Sequence, residues 1–157
     1  MMRIKYSRVV IALTALACCA VAAPAAPAAQ ARPAALSSLR VTVVEARNLH
    51  HEDGLLGKND PYAVVSVGAQ RHATEVRTNA GSRATWNETF DFELQESDRS
   101  MTLVVYEKDL LKDDLIGRAI ISLEAVRREG TTSSWYPIGE GAKARGEVLV
   151  DMSLQSG

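Results

Sequence analysis

Leu39-Arg40-Val41-Thr42-Val43 alternates apolar and polar residues one by one, and the same period returns in Phe90-Asp91-Phe92-Glu93-Leu94. A period of two is typical of a β-strand with one buried face, because successive side chains point to opposite faces of a sheet. Both segments are therefore predicted as strands that bury their Leu, Val and Phe side chains in a core.

Further strand-like segments follow between residues 39 and 154, separated by clusters of Gly, Asn, Asp or Ser. They are residues 62–67, 71–77, 101–107, 118–122, 134–138 and 147–154. A short helix is predicted over residues 123–129, where Ser122 can cap the start and Gly130 can end the helix. Eight short strands in a segment of this length predict an all-β fold, an eight-stranded antiparallel sandwich.

The start of the chain has the layout of a secretory signal. Arg3, Lys5 and Arg8 give it positive charge. A largely apolar stretch follows at residues 9–23, and small residues continue beyond it. We therefore predict a signal peptide or signal anchor over residues 1–31, and a protein that is secreted, periplasmic or held at the cell surface.

The rest of the chain is predicted to be one domain after a short tether. Residues 32–38 are rich in Ala and Ser with one Pro, and the folded domain is expected over residues 39–154. The chain has 18 Lys and Arg against 19 Asp and Glu, so it lacks the basic surplus that nucleic acid binding requires. Cys18 and Cys19 are adjacent within the predicted signal and cannot form a spaced metal site.

Carboxylates concentrate in two connections between the predicted strands. If each strand reverses the last, the connections after the first, third and fifth strands lie at one end of the sandwich. This end then carries seven acids: Glu52, Asp53, Asp60, Glu107, Asp109, Asp113 and Asp114. Two carboxylates about 5 Å apart repel by roughly 3 kcal/mol at an effective dielectric of about 20. A hard divalent cation such as Ca²⁺ would relieve this repulsion, and the alternative is that the acids are simply solvated.

Each acidic connection also contains two adjacent leucines. They are Leu55 and Leu56 in the connection after the first strand, here called the first loop, and Leu110 and Leu111 in the connection after the fifth strand, here called the third loop. Apolar pairs at an exposed loop tip favour insertion into a lipid interface. The alternative is that one leucine of each pair folds back under its loop.

Four motifs along residues 39–154 together resemble a C2 domain, the calcium-dependent membrane-targeting module. They are LRVTVVEARNL at residues 39–49, GKNDPY at 57–62, WNETFDF at 86–92 and DLIG at 114–117. The resemblance implies an eight-stranded antiparallel sandwich with Greek-key connections. A domain that begins directly at the Leu39 strand is similar to the permuted, phospholipase C and plant-type members of the family.

The resemblance also implies a set of calcium ligands, because five aspartates on the first and third loops bind the ions in that family. Asp60 matches the ligand of the Asp-Pro-Tyr motif. Glu107 and Asp109 occupy the two acidic positions of the Asp-x-Asp motif. Asp53 and Asp114 each lie one residue away from the remaining ligand positions.

These features together predict calcium-dependent binding to an anionic phospholipid membrane. The alternative function is calcium-independent docking to a protein partner, because many C2 domains have lost calcium binding. An enzyme is not expected, since the sequence has no Gly-x-Ser-x-Gly, Walker-type or Rossmann glycine motif.

Overall fold

The computed structural model describes residues 37–50 and 59–155. The predicted signal, most of the tether, and the predicted site residues Asp53, Leu55 and Leu56 lie outside these described residues.

Eight strands and one short helix make up the described part of the chain. They are β1 Ser37–Arg47, β2 Pro61–Val67, β3 Gln70–Ala73, β4 Ala84–Leu94, β5 Ser100–Glu107, β6 Asp114–Ser122, α1 Glu124–Glu129, β7 Thr131–Glu140 and β8 Lys143–Gln155. All strand pairs are antiparallel, and the spatial order is β3-β2-β5-β6-β7-β8-β1-β4. The predicted all-β class and strand number are confirmed.

The eight strands form two layers, because the ladder between β6 and β7 is a single residue pair, Arg118 with Gly139. One layer contains β3, β2, β5 and β6, and the other contains β7, β8, β1 and β4. The predicted antiparallel sandwich is confirmed.

The core lies between the two layers and follows the alternation seen in the sequence. Leu39, Val41 and Val43 of β1 are fully buried, and so are Val65 of β2 and Leu103 of β5 from the opposite layer. Burying each such side chain stabilises the fold by about 1.5–3 kcal/mol. The short helix α1 ends at Gly130 (φ 81°), as predicted, and the Gly130 N–H donates to the Val126 carbonyl. Within the described ranges, no helix is long and apolar enough to cross a membrane.

Two predicted strand boundaries are wrong in a way that affects the acidic end. Strand β3 ends at Ala73, before Arg77. Strand β6 begins at Asp114 instead of Arg118, because its ladder with β5 continues to the pair Glu107 with Asp114. Asp114 therefore lies on a strand and not in the third loop.

Side chains close the sandwich along the side where β3 faces β4. The Gln70 amide behaves like a strand residue: its Nε2 donates to the Glu93 carbonyl (2.6 Å), and its Oε1 accepts the Glu93 N–H (2.9 Å). Further along, the buried Trp86 indole donates its N–H to the Glu75 carbonyl (3.0 Å). The backbone groups of Glu93 at the β4 edge and the Glu75 carbonyl that faces Trp86 are thus satisfied.

Candidate functional site

The two ends of the first loop are held together by one buried side chain. The Asn59 amide is fully buried and donates from Nδ2 to the carbonyl of His50 (3.2 Å). The Asn59 carbonyl in turn accepts the N–H groups of Ala80 and Gly81 from the second loop (2.9 and 3.3 Å). These contacts fix the chain just before Asp60.

Asp60 joins the first loop, before β2, to the second loop, between β3 and β4, and to the third loop, between β5 and β6. Its carboxylate accepts the backbone N–H of Asn79 in the second loop (2.5 Å). Its carbonyl accepts the N–H of Lys108 at the start of the third loop (2.9 Å). The strongest ligand candidate of the sequence is therefore held in place by its backbone and by one carboxylate oxygen.

Glu107 and Asp114 face each other across β5 and β6, as register partners at the end of the ladder. Glu107 is also the register partner of Pro61, the residue after Asp60. Side chains of directly opposite residues in an antiparallel pair have their Cβ atoms about 4.5–5.5 Å apart, and like charges there are destabilising. The register therefore places Glu107 and Asp114 directly opposite each other, where a nearby cation would be stabilising.

Asp109 lies on the exposed third loop between β5 and β6. Its N–H donates to the carboxylate of Asp113 (3.2 Å), and its own Oδ1 accepts the N–H of Leu110 (2.5 Å). Leu110 and Leu111 are each 99% exposed. Neither leucine folds back under the loop, so the alternative for this pair is wrong.

Asp113 holds the third loop against β2. Its carboxylate accepts the Tyr62 hydroxyl (2.7 Å) and pairs with the Lys108 ammonium (3.0 Å). The hydrogen bond from Tyr62, followed by that from Lys108, lowers the pKa of Asp113. Burial and the bond to Asp113 raise the pKa of Tyr62 to about 12. Sequence reasoning counted Asp113 among the acids but did not single it out, because its partner is 51 residues away.

The predicted ligands share one end of the sandwich, but they do not form a complete cage in the described structure. Within residues 37–50 and 59–155, no three His, Cys, Asp or Glu side chains are grouped so that they could hold a metal ion. Asp53, the remaining predicted ligand, lies outside those ranges. The ligand set stays a prediction.

A fourth connection belongs to this end, and sequence reasoning missed it. The tip between β7 and β8 consists of Gly141 and Ala142. Just after it, the carbonyl of Arg145 accepts the N–H of His50 at the stem of the first loop (2.8 Å). The alternation of strand directions was a sufficient signal, since the seventh connection must lie at the same end as the first, third and fifth.

The family model for the C2 domain matches residues 37–138. The chain belongs to the C2 domain family. The sequence resemblance to this family is thereby confirmed.

Relatives of this C2 domain include short and long proteins. Elicitor-responsive protein 3 of Oryza sativa subsp. japonica is 33% identical over 119 residues, which are 74% of this chain and 82% of the relative. Synaptotagmin-5 of Arabidopsis thaliana is 33% identical over 120 residues, which are 75% of this chain. The chain spans only 21% of synaptotagmin-5 and 13% of extended synaptotagmin-3 from Mus musculus.

Solved structures agree on the fold. A C2 domain-containing protein from an elicitor-responsive gene superposes with a TM-score of 0.67 at 30% identity, over 76% of this chain and 88% of that one. The calcium-bound pair of C2 domains from extended synaptotagmin 2 gives a TM-score of 0.70 at 24% identity, over 80% of this chain and 48% of that one.

Proposed function

We propose that this C2 domain binds Ca²⁺ at its acidic end and thereby attaches to anionic phospholipid membranes. The observation that carries the proposal is the third loop. It presents two fully exposed leucines, Leu110 and Leu111, directly after Asp109 and within a few residues of Asp114. An apolar tip beside acidic side chains suits a membrane contact that depends on a cation.

The donor chemistry fits calcium. The candidate side chains are carboxylates, the hard oxygen donors that calcium prefers. Asp60, Glu107, Asp109 and Asp114 would hold the ion, with Asp53 as a fifth ligand. Bound calcium would supply positive charge that offsets these carboxylates and can also accept phosphate oxygens as ligands.

The leucines supply the apolar part of the contact. Fully burying a leucine contributes about 1.5–3 kcal/mol, so Leu110 and Leu111 together would give only a weak attachment without the electrostatic part. While the acidic end is negatively charged, an anionic surface repels it. Neutralisation of this end therefore determines when the leucines reach the lipid.

We propose that the protein works as a binding module and not as an enzyme, and that it is secreted, periplasmic or attached to the cell surface through residues 1–31. We also propose the permuted strand order of the phospholipase C type. The position of β1 between β4 and β8 supports that order. One solved relative is named as calcium bound, which supports calcium as the ion.

The test is co-sedimentation with phosphatidylserine vesicles in millimolar calcium and in chelator. We expect the wild-type chain to pellet only with calcium, and Asp60→Asn with Asp109→Asn to abolish pelleting. The control carries the same charge change at the opposite end, Glu96→Gln with Glu124→Gln, and should pellet like wild type. Thermal unfolding verifies that each variant is folded.

Two results would contradict the proposal. Calcium-dependent pelleting that survives the double aspartate substitution would mean that other residues hold the ion. Pelleting in neither condition would favour the calcium-independent protein-docking function instead.

A further inference from the structure

A groove of about 430 Å³ lies along the seam between β6 and β7. The two strands touch there through one backbone pair, Arg118 with Gly139, and have no other ladder between them in the described part of the chain. From that point the groove extends to Gly141 and Ala142 at the tip between β7 and β8. It is distinct from the acidic loops, although it opens at the same end.

Two glycines lie where the strands beside the groove approach most closely. A Cβ on Gly139 would lie 2.4 Å from the carbonyl oxygen of Lys143, and a Cβ on Gly117 would lie 3.0 Å from the Gly139 nitrogen. Only bare backbone lets β6, β7 and β8 approach this closely. The groove is therefore lined in part by backbone and small side chains, which leaves room for a ligand.

Two cations line the groove. Arg118 and Lys143 are both exposed, and neither has an ion pair or a side-chain hydrogen bond among the residues that the structure describes. Other cations differ: Arg40, Arg47 and Lys108 are each held by a carboxylate. A negatively charged ligand in this groove would not have to displace an existing partner from either cation.

The groove reaches the end of the sandwich that carries Leu110 and Leu111. The start of β8 is tied to the first-loop stem by the bond from the His50 N–H to the Arg145 carbonyl (2.8 Å). The β7–β8 tip therefore lies at the same end as Leu110 and Leu111. A membrane that receives the leucines would also meet the mouth of the groove.

We propose that this groove binds the phosphate-bearing headgroup of an anionic phospholipid. A guanidinium can hold a phosphate with two parallel hydrogen bonds, and an ammonium adds a compact positive charge. Arg118 and Lys143 supply these two groups. This contact rests on the proposed function for the direction of membrane approach, but it needs no calcium for its own chemistry.

The first test compares two double variants of the full chain that have equal charge change. Arg118→Gln with Lys143→Gln removes the groove cations, and Arg99→Gln with Arg128→Gln removes two cations at the opposite end. The opposite end is about 25 Å away, the length of an eight-residue strand such as β5, and salt screens charges beyond about 8 Å. Phosphatidylserine vesicles are titrated in millimolar calcium.

A cation at an anionic bilayer contributes about fivefold to binding. We therefore expect the groove variant to bind vesicles roughly 25-fold more weakly than wild type, while the control variant binds as wild type does. Calcium-induced thermal stabilisation should be unchanged in both variants. Where the wild-type chain binds vesicles, equal vesicle binding by the groove and control variants would overturn the proposal. A loss of calcium stabilisation in the groove variant would assign its cations to the ion site instead and would also overturn it.

A second test does not depend on the calcium site. In chelator, glycerophosphoserine or inorganic phosphate is titrated into the chain, and the amide NMR signals of Gly139, Gly141 and Lys143 are followed. Shifts that are larger with glycerophosphoserine, and lost in the groove variant, support a headgroup site even if vesicle binding fails. Equal shifts with both probes would assign the groove to free phosphate and overturn the lipid assignment. No shifts with either probe would also overturn it, and would leave the unpaired strand edges for an extended peptide.

Discussion

The two long sides of the sandwich are built differently. Where β3 faces β4, the Gln70 amide and the Trp86 indole bond to backbone groups and seal the gap between the layers. Where β6 faces β7, Gly139 meets Arg118 at a single pair, and a groove with exposed Ile120 and free cations remains. The β3–β4 side is closed by long polar and aromatic side chains. On the β6–β7 side, backbone at glycine and two cations stay accessible.

The largest difference between the sides should appear when one apolar side chain is removed from each. Trp86→Ala leaves a cavity and removes the indole hydrogen bond to the Glu75 carbonyl, so we expect a loss of about 3–5 kcal/mol in the free energy of unfolding. Ile120, 75% exposed on the open side, serves as the counterpart. Ile120→Ala should change stability by less than about 0.5 kcal/mol. Urea unfolding measures both, and similar losses would mean that the open side is packed as well.

A substitution at the narrow point of the open side should have the next largest effect. Gly139→Ala places a Cβ against the Lys143 carbonyl oxygen, so β7 and β8 must move apart locally. Overpacking of this kind costs about 1–3 kcal/mol. Ala142→Ser at the exposed tip is the control and should be neutral in the same thermal unfolding experiment. An unchanged stability in Gly139→Ala would show that β7 and β8 can separate at this point at little cost.

The hydrogen bonds that close the other side should contribute less. Gln70→Ala removes both bonds to Glu93 at an exposed edge, and we expect a loss of about 1–2 kcal/mol. Gln70→Glu keeps an acceptor for the Glu93 N–H but cannot donate to its carbonyl, so an intermediate loss is expected. Amide hydrogen exchange at Glu93 should accelerate in the same order. Unchanged exchange in Gln70→Ala would mean that this edge is sealed by other groups.

The smallest effect concerns the pH dependence of stability at the acidic end. The pKa of Asp113 is lowered in the folded protein, so its contribution to stability is complete above its unfolded pKa of about 4 and is lost as pH falls through the lower folded pKa. Tyr62→Phe removes the largest cause. The pKa of Asp113 should then rise towards its ordinary value, as measured by carboxyl NMR titration. An Asp113 pKa that is identical in both proteins would assign the shift to Lys108.

Alternation and motif spacing were enough to predict the strands and the location of Asp60. Leu39, Val41 and Val43 point into the core because local period decides which face is buried. Asp114 was misplaced because the strand continues only through its pairing with Glu107, and a cross-strand partner leaves no local pattern.

The other features that the sequence did not predict depend on contacts between residues that are distant in the chain. Asp113 accepts a hydrogen bond from Tyr62, which lies 51 residues earlier in the chain. Beside the groove, Gly117 and Gly139 approach each other from two strands that are more than 20 residues apart in the chain. The sequence gives the identity of each residue but not which distant residues are in contact.

The Asn59 amide closes the chain onto His50, so the sheet framework is complete on both sides of residues 51–58. Loop-closure entropy changes only slowly with length, and a clamp at the base leaves the exchange of those eight residues with little effect on the strands. Residues 51–58 can thus be exchanged for another sequence without rebuilding the sheets. Evolution or a grafting experiment can therefore change which ion and which membrane this end prefers. The sandwich would fold as before.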